Sequence, residues 1–276
     1  MKYIYLIFIF ITVNTTAYCA TLEQLAHVNS NGDSGIWIEE TFLFHPNLSG
    51  SKQQSDGESS WLFTLHGEQR WGSRFQVQWY SEFQQVIQYD FASFLKDKFS
   101  SYNEEWFKHF YLGPGLIEYT QLSKQNYGPE LTKWLWAIRP LIVVNILLNF
   151  CGWEFDQRIR LERQLYLNPF HHDYSNIRWR LDLYGPWKWT RFEIQPYISN
   201  EFFFRSKTYN PESNPTGLVG GLYDDLVRFG IVSKINKSIS LEIYYQLEFL
   251  KQKISPTNSL EYWSTNNIGI VIVNDF

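Results

Sequence analysis

The sequence predicts an all-β protein, a transmembrane up-and-down antiparallel β-barrel of about 12 strands, with about 10 as the alternative count. Three observations point there. The segment Arg191–Arg205 places Arg191, Glu193, Gln195, Tyr197, Ser199, Glu201, Phe203 and Arg205 on one face. Phe192, Ile194, Pro196, Ile198, Asn200, Phe202 and Phe204 take the other. Successive strand side chains point to opposite faces, so this is one long strand with a polar and an apolar side. Second, aromatic residues make up 19% of the chain, with 12 Trp, 18 Tyr and 22 Phe, while charged residues are also only 19%. Amphipathic rings in that number suit the girdles of a membrane barrel. Third, residues 1–20 read as an export signal. Lys2 supplies the charge, Tyr3 to Val13 the apolar segment, and Ala17-Tyr18-Cys19-Ala20 the small-residue exit.

The domain reading is therefore a signal peptide at 1–20, a polar lead-in at 21–34 and a barrel at 35–276. The first strand is Gly35–Phe44, followed by a polar loop from Pro46 to Ser60. Trp61–Trp71 sets Thr64, His66, Glu68 and Arg70 on one face, and Gly72-Ser73 reads as a tight turn. The next strand carries Tyr80, Glu82 and Gln84 opposite Trp79 and Phe83. Phe91–Phe99 suits a short loop helix, and Trp106–Thr120 is strand-like but broken by Gly113-Pro114-Gly115. Leu131–Phe150 is a long apolar strand closed by a turn at Cys151-Gly152. Strands then follow at Glu154–Gln164, Ile177–Leu183, Arg191–Arg205, Leu222–Ile235, Ile239–Gln252 and Tyr262–Phe276. Pro196 lacks a ladder donor, which predicts a local bulge.

From residue 122 onward, short turns near 151, 187 and 237 alternate with longer loops near 126, 170, 214 and 257. Outer-membrane barrels show this alternation of periplasmic turns and outer loops. Eleven strands are visible directly. Periplasmic placement of both ends requires an even number, so a twelfth is expected between 86 and 122. A soluble sandwich would alternate in the same way. Export, aromatics near strand ends and the final strand favour the barrel, because closure leaves no exposed edges. That strand runs Ile268, Ile270, Ile272 to Phe276, and a terminal aromatic there resembles the signal by which outer-membrane barrels are recognised for assembly. Asn274 departs from that pattern.

The net charge of -4 and pI near 5.9 argue against nucleic-acid binding. With Cys19 in the signal, Cys151 has no cysteine partner, so the mature fold forms without a disulfide. No Gly-x-Ser-x-Gly elbow, phosphate loop or Cys/His cluster occurs, and His66 and His109 have no evident serine partner. His171-His172-Asp173 reads as a solvated loop tip rather than a metal site. The expectation is a protein without enzymatic activity, cofactor or metal.

The polar faces collect Arg158, Arg160, Arg178, Arg180, Arg205 and Arg228 with Glu162, Asp182, Glu193, Glu201, Glu242 and Glu248. In a lumen, these opposite charges would pair into a rigid plug or line a narrow pore. The series FDQRIRLERQ, NIRWRLDL, QPYISNEFFF and VRFGIVSKINKSISLEIYYQLE resembles domain-of-unknown-function family 2490, described as outer-membrane β-barrels of Gram-negative bacteria. The family's marks match Arg158, Arg160, Glu162 and Arg163, then Asn200, Glu201 and Phe202. Its usual Asn-Arg pair appears here as Val227-Arg228. The resemblance implies the barrel fold and no assigned activity.

The functional expectation is an outer-membrane barrel that is structural or passes small solutes narrowly. Its partners would be outer-membrane lipid and the barrel-assembly machinery, the latter through Phe276. The alternatives are an outer-membrane lipid-modifying enzyme and a secreted soluble β-sandwich binding module.

Overall fold

The computed structural model describes residues 33–45, 60–74, 77–92, 94–95, 106–124, 132–167, 173–206, 221–254 and 259–276. Eleven strands close into a barrel. They are β1 (Asp33–Phe44), β2 (Trp61–Arg74), β3 (Val77–Asp90), β4 (Phe107–Lys124), β5 (Thr132–Phe150), β6 (Trp153–Tyr166), β7 (Tyr174–Tyr184), β8 (Gln195–Arg205), β9 (Gly221–Lys234), β10 (Ile239–Ile254) and β11 (Ser259–Asp275). Neighbours in sequence pair antiparallel all the way round, and β1 closes on β11 in parallel from Asp33↔Thr265 to Leu43↔Asp275. Closure rules out the sandwich, since an open pair of sheets would leave edges.

The count is close to the expected dozen, but the parity argument behind it fails. Parallel closure lets an odd number of strands form a sealed cylinder. It also puts the start of β1 and the end of β11 at opposite rims, where one shared side was expected. One rim carries Phe44, Phe150, Lys234 and Phe276, and is called here the Phe276 rim. The other carries Tyr166, Tyr174, Arg205 and Gly221, and is called the Arg205 rim.

Among the described residues, the segment expected to hide a twelfth strand holds the end of β3 and most of β4, while residues 96–105 lie outside them. Gly113-Pro114-Gly115 does not break β4, which keeps its register with β5 from Gly113↔Val143 to Gly115↔Leu141. Glycine there permits a close approach: a Cβ at Gly113 would fall 1.8 Å from the Ile87 carbonyl oxygen. The helix expected over Phe91–Phe99 begins as a turn at Ala92, with Leu95 N–H donating to the Phe91 carbonyl (3.0 Å). Its remainder lies outside the described residues, as do the signal peptide, residues 21–32 of the lead-in, and His171 and His172; the lead-in's last two residues, Asp33 and Ser34, already belong to β1. Asp173 accepts a bond from Tyr166 N–H (3.1 Å) across the β6–β7 connection.

Three local expectations are corrected. The ladder between β2 and β3 shifts register at Gly72 and Ser73 and resumes at Arg74↔Val77, so these two residues form a bulge inside β2 rather than the hairpin turn. No register shift occurs at Pro196; the β8–β9 shift sits between Phe203 and Phe204. Pro196 is the second residue of β8, outside its ladder with β7, which begins at Tyr184↔Tyr197. The missing N–H therefore removes no bond on that side, while the Pro196 carbonyl accepts from Gly185 N–H (2.8 Å). Finally, the strand starts at Gln195, not Arg191. Residues 190–193 turn back through left-handed Thr190 (φ 65) and Glu193 (φ 46), closed by the Trp189–Ile194 bridge. The turn at Cys151-Gly152 is as expected. Both residues have positive φ (49 and 82), which suits the twist of a two-residue hairpin, and Cys151 is a free, exposed thiol.

The expected faces hold. Inside lie Trp37, Tyr80, Ile117, Tyr119, Val143, Tyr197 and Tyr244, mixed with many buried polar groups. Outside, every wall presents apolar side chains, among them Ile36 (58% exposed), Phe83, Trp136, Ile142, Leu161, Ile177, Phe229, Ile243 and Ile268 (58%). On most strands the polar face is thus the inner one, while β4 and β5 turn Ile117, Leu141 and Val143 inward as an apolar patch.

Candidate functional site in the barrel lumen

The pleat that turns apolar side chains outward turns the charged ones inward, where register fixes their neighbours. On β6 and β7 this places like charges opposite one another, Arg158↔Arg180 and Arg160↔Arg178. Such pairs are unfavourable by themselves. Glu201 on β8 relieves them. Its Oε1 lies 3.0 Å from Arg178, 3.6 Å from Arg160 and 3.9 Å from Arg158. Glu162 adds a second acid, 3.2 Å from Arg160 and 3.7 Å from Arg178.

The cluster then crosses the lumen. Arg160 donates to Gln84 Oε1 on β3 (2.7 Å), and Arg139 on β5 reaches Glu82 (3.4 Å) and Glu162 (3.9 Å). Arg139 also donates to Gln164 Oε1 (2.7 Å) and stacks on Tyr119 (4.2 Å to the ring centre). Gln164 in turn donates to the Tyr119 hydroxyl, and the Tyr80 hydroxyl donates to Glu82. Arg160, Glu162, Gln164, Arg178, Glu201, Glu82 and Gln84 are all buried. Buried ions need opposite charge close by, and each ion of this set has it across β3, β5, β6, β7 and β8, although both Glu162 oxygens and Arg160 Nε hold ion-pair contacts without a hydrogen bond.

A second cluster spans the parallel seam. Arg228 on β9 lies 3.3 Å from Glu39 on β1 and donates to Gln246 Oε1 on β10 (2.6 Å). Tyr244 on β10 donates to the same Glu39 (2.6 Å). Arg228 stacks over Tyr244 (4.5 Å). Nearby, Tyr197 donates to Glu242, Arg180 pairs with Asp182 (2.8 Å), Thr265 donates to Glu248 (3.1 Å), and Arg70 pairs with Glu68 beneath Trp37.

Of the residues expected in the lumen, Arg158, Arg160, Glu162, Arg178, Arg180, Asp182, Glu201, Arg205, Arg228, Glu242 and Glu248 lie there. Glu193 does not; its left-handed turn holds it exposed outside β8. Phe276 closes the seam. Its N–H donates to the Leu43 carbonyl (2.9 Å), and its ring stacks on Phe44 (5.6 Å). Sequence reasoning missed Arg139 and Glu39; Glu82, Gln84, Gln164 and Gln246 were placed on the polar faces of their strands but not counted in the lumen set. Arg139 had a signal: it is the only charge between Trp134 and Phe150 on an apolar strand.

A family model described as "Protein of unknown function (DUF2490)" matches residues 47–258. The chain belongs to this family. The match spans β2 to β10 and with them the Arg–Glu201 cluster, whereas both strands of the parallel seam lie outside it. No curated protein and no solved structure matches this DUF2490 chain.

His109 and His66 are both engaged inside the barrel. His109 Nδ1 lies 2.7 Å from Asp90 Oδ2, and the same carboxylate accepts from Ala92 and Phe110 N–H (2.9 and 3.0 Å). His66 Nδ1 meets Thr41 Oγ1 at 2.8 Å. These contacts tie strand ends and walls together. Among the described residues no group of three or more metal-ligating side chains forms.

Proposed function

We propose that this DUF2490 protein is an integral outer-membrane β-barrel of structural role, sealed at rest by its arginine–carboxylate plug and without catalytic function. The observation that carries the reading is the outer wall. Large apolar side chains stay exposed round the whole cylinder, at Ile36, Phe83, Trp136, Leu161, Ile177, Phe229, Ile243 and Ile268. A soluble monomer rarely exposes a continuous apolar patch beyond a few hundred Å². Rings also collect at the Phe276 rim: Phe44 with both Phe276 and Phe63, Trp61 with Tyr89, Trp106 with Phe150, and Trp153 with Trp187. Such a belt suits the headgroup level of a bilayer. Lipid would then be the main partner, and assembly would pass through the barrel-assembly machinery, with Phe276 displayed on the last strand.

Fractionation of expressing cells tests the location. The expected result is a heat-modifiable, folded band with the outer membrane; folded protein in the soluble periplasm overturns the reading. Conductance tests the seal. The inserted wild-type barrel is expected to be silent in a planar bilayer, because bonds such as Arg160–Gln84 cross its lumen. Steady unitary steps would favour a narrow pore instead. Phospholipid hydrolysis that disappears in His66→Ala or His109→Ala would replace the structural reading with an enzymatic one.

A further inference from the structure

Seven lumenal arginines share one property: Arg70, Arg139, Arg158, Arg160, Arg178, Arg180 and Arg228 each have a carboxylate within 4.0 Å. Arg205 breaks the rule. Among the described residues no ion pair joins it to an acid. Yet its position is built. The guanidinium is held between the faces of Tyr223 (3.8 Å to the ring centre) and Tyr174 (4.4 Å). The Tyr166 hydroxyl meets the Tyr174 hydroxyl at 3.5 Å, and Tyr223 is backed edge-on by Phe203. Arg205 Nε is shielded from solvent and has no hydrogen-bond partner, although the residue as a whole is only half-buried. All these residues end or begin strands at one rim: Tyr166 closes β6, Tyr174 opens β7, Arg205 closes β8, and Tyr223 lies near the start of β9.

Stacking on rings orients a guanidinium and compensates part of its desolvation; a bond to the Tyr223 hydroxyl occupies one donor, and among the described residues no carboxylate takes the others. A planar donor fork fixed in this way, with phenolic hydroxyls beside it, matches the oxygens of an anion. The Asn176 side-chain oxygen, across the ladder from Arg205, is a further acceptor without a partner and can take the remaining proton of a hydrogen phosphate. We propose that Arg205, with Tyr174 and Tyr223, forms an anion-binding site at this rim, taking a phosphate-type group. The group is either free phosphate or the phosphate of a lipid headgroup. The site does not depend on where the barrel resides.

The test is the Nε–H resonance of Arg205 in the full-length barrel in neutral detergent micelles, identified by its loss in Arg205→Gln. Titration with inorganic phosphate against a chloride control should move it saturably. Micelles doped with phosphatidylglycerol distinguish the sources. A shift at lower lipid phosphate than inorganic phosphate supports a headgroup, and the reverse order supports a free anion. Tyr223→Phe keeps the ring and loses the hydroxyl, and should weaken binding by roughly tenfold or less, the size of one hydrogen bond. An Arg205 resonance that moves with neither titrant overturns the site; should Arg205→Gln fail to fold, loss of the same resonance in Arg205→Lys identifies it.

Discussion

Glu201→Ala is expected to lower the unfolding temperature of the barrel by roughly 10 °C. Glu201 is the shared acid of Arg158, Arg160 and Arg178, and its loss leaves Arg158 without an ion-pair partner among the described residues. The other two arginines would then depend on Glu162 alone between β6 and β7. Breaking a buried pair from one side costs about 3–5 kcal/mol, because the stranded charge stays desolvated. At about 2–4 °C per kcal/mol for a chain of this size, that gives the stated shift. Heat-modifiability on gels, or the loss of β-sheet circular dichroism on heating, measures it. A second variant keeps the argument specific. Glu201→Ala combined with Arg178→Met removes one of the stranded cations, so the double variant should be more stable than the two single losses added, by about 0.5–3 kcal/mol of coupling. An unchanged unfolding temperature in Glu201→Ala would show that the carboxylate is solvated, and the plug would lose its central member.

How much of this site could be read from the chain depends on which distances strand alternation controls. Alternation alone puts Arg158, Arg160 and Glu162 on one face, as it does Arg178, Arg180 and Asp182, and these residues lie inside. It says nothing about who meets whom. That Arg160 stands opposite Arg178, and that Glu201 serves three arginines at once, follows from the register between strands. Contacts across the lumen are further still from the sequence. The Arg160–Gln84 bond joins residues 76 positions apart, and Tyr244–Glu39 joins residues 205 apart. Glu193 shows the converse limit. The alternation Arg191-Glu193-Gln195 continues the pattern of β8, yet the strand starts only at Gln195, because a hairpin with two left-handed residues precedes it. Polar and apolar order repeated by chance in a turn cannot be told from a strand by period alone.

The fold was legible to the level of its walls. The Cys151-Gly152 hairpin, the long apolar β5 and the outward isoleucines of β11 follow from patterning and turn residues. The seam did not follow, because nothing in local pattern distinguishes a strand that pairs in parallel with a distant one from a strand that pairs antiparallel with its neighbour. One sequence trace of the seam is a small residue in the last strand. Gly269 sits among Ile268 and Ile270, facing inward where a larger side chain would be expected.

That glycine supports the last prediction. Gly269→Ala should destabilise the barrel by about 2–5 kcal/mol, the sum of an overpacking cost and of a buried carboxylate deprived of a donor. Tyr244 on β10 lies over Gly269 on β11 to donate to Glu39 on β1, so a Cβ at 269 would fall 2.0 Å from Tyr244 Cζ and 2.3 Å from its hydroxyl oxygen. The ring must leave, and Glu39 then keeps Arg228 but loses Tyr244. The same joint recurs one step back. Tyr197 on β8 covers Gly230 on β9, 2.5 Å from a Cβ placed there, and donates to Glu242 on β10. Two tyrosines thus each pass over a glycine to bind an acid two strands on, and the second joint crosses the parallel seam that closes the cylinder. Two comparisons make the expectation decisive. Gly67→Ala, where a Cβ meets nothing within 4 Å, should leave stability within about 0.5 kcal/mol of wild type. Tyr244→Ala in the Gly269→Ala background should cost little more than Gly269→Ala alone, since the ring has already been displaced. If the two losses instead add in full, the tyrosine does not occupy the space above Gly269, and the seam is held by its backbone ladder and Arg228 without that joint.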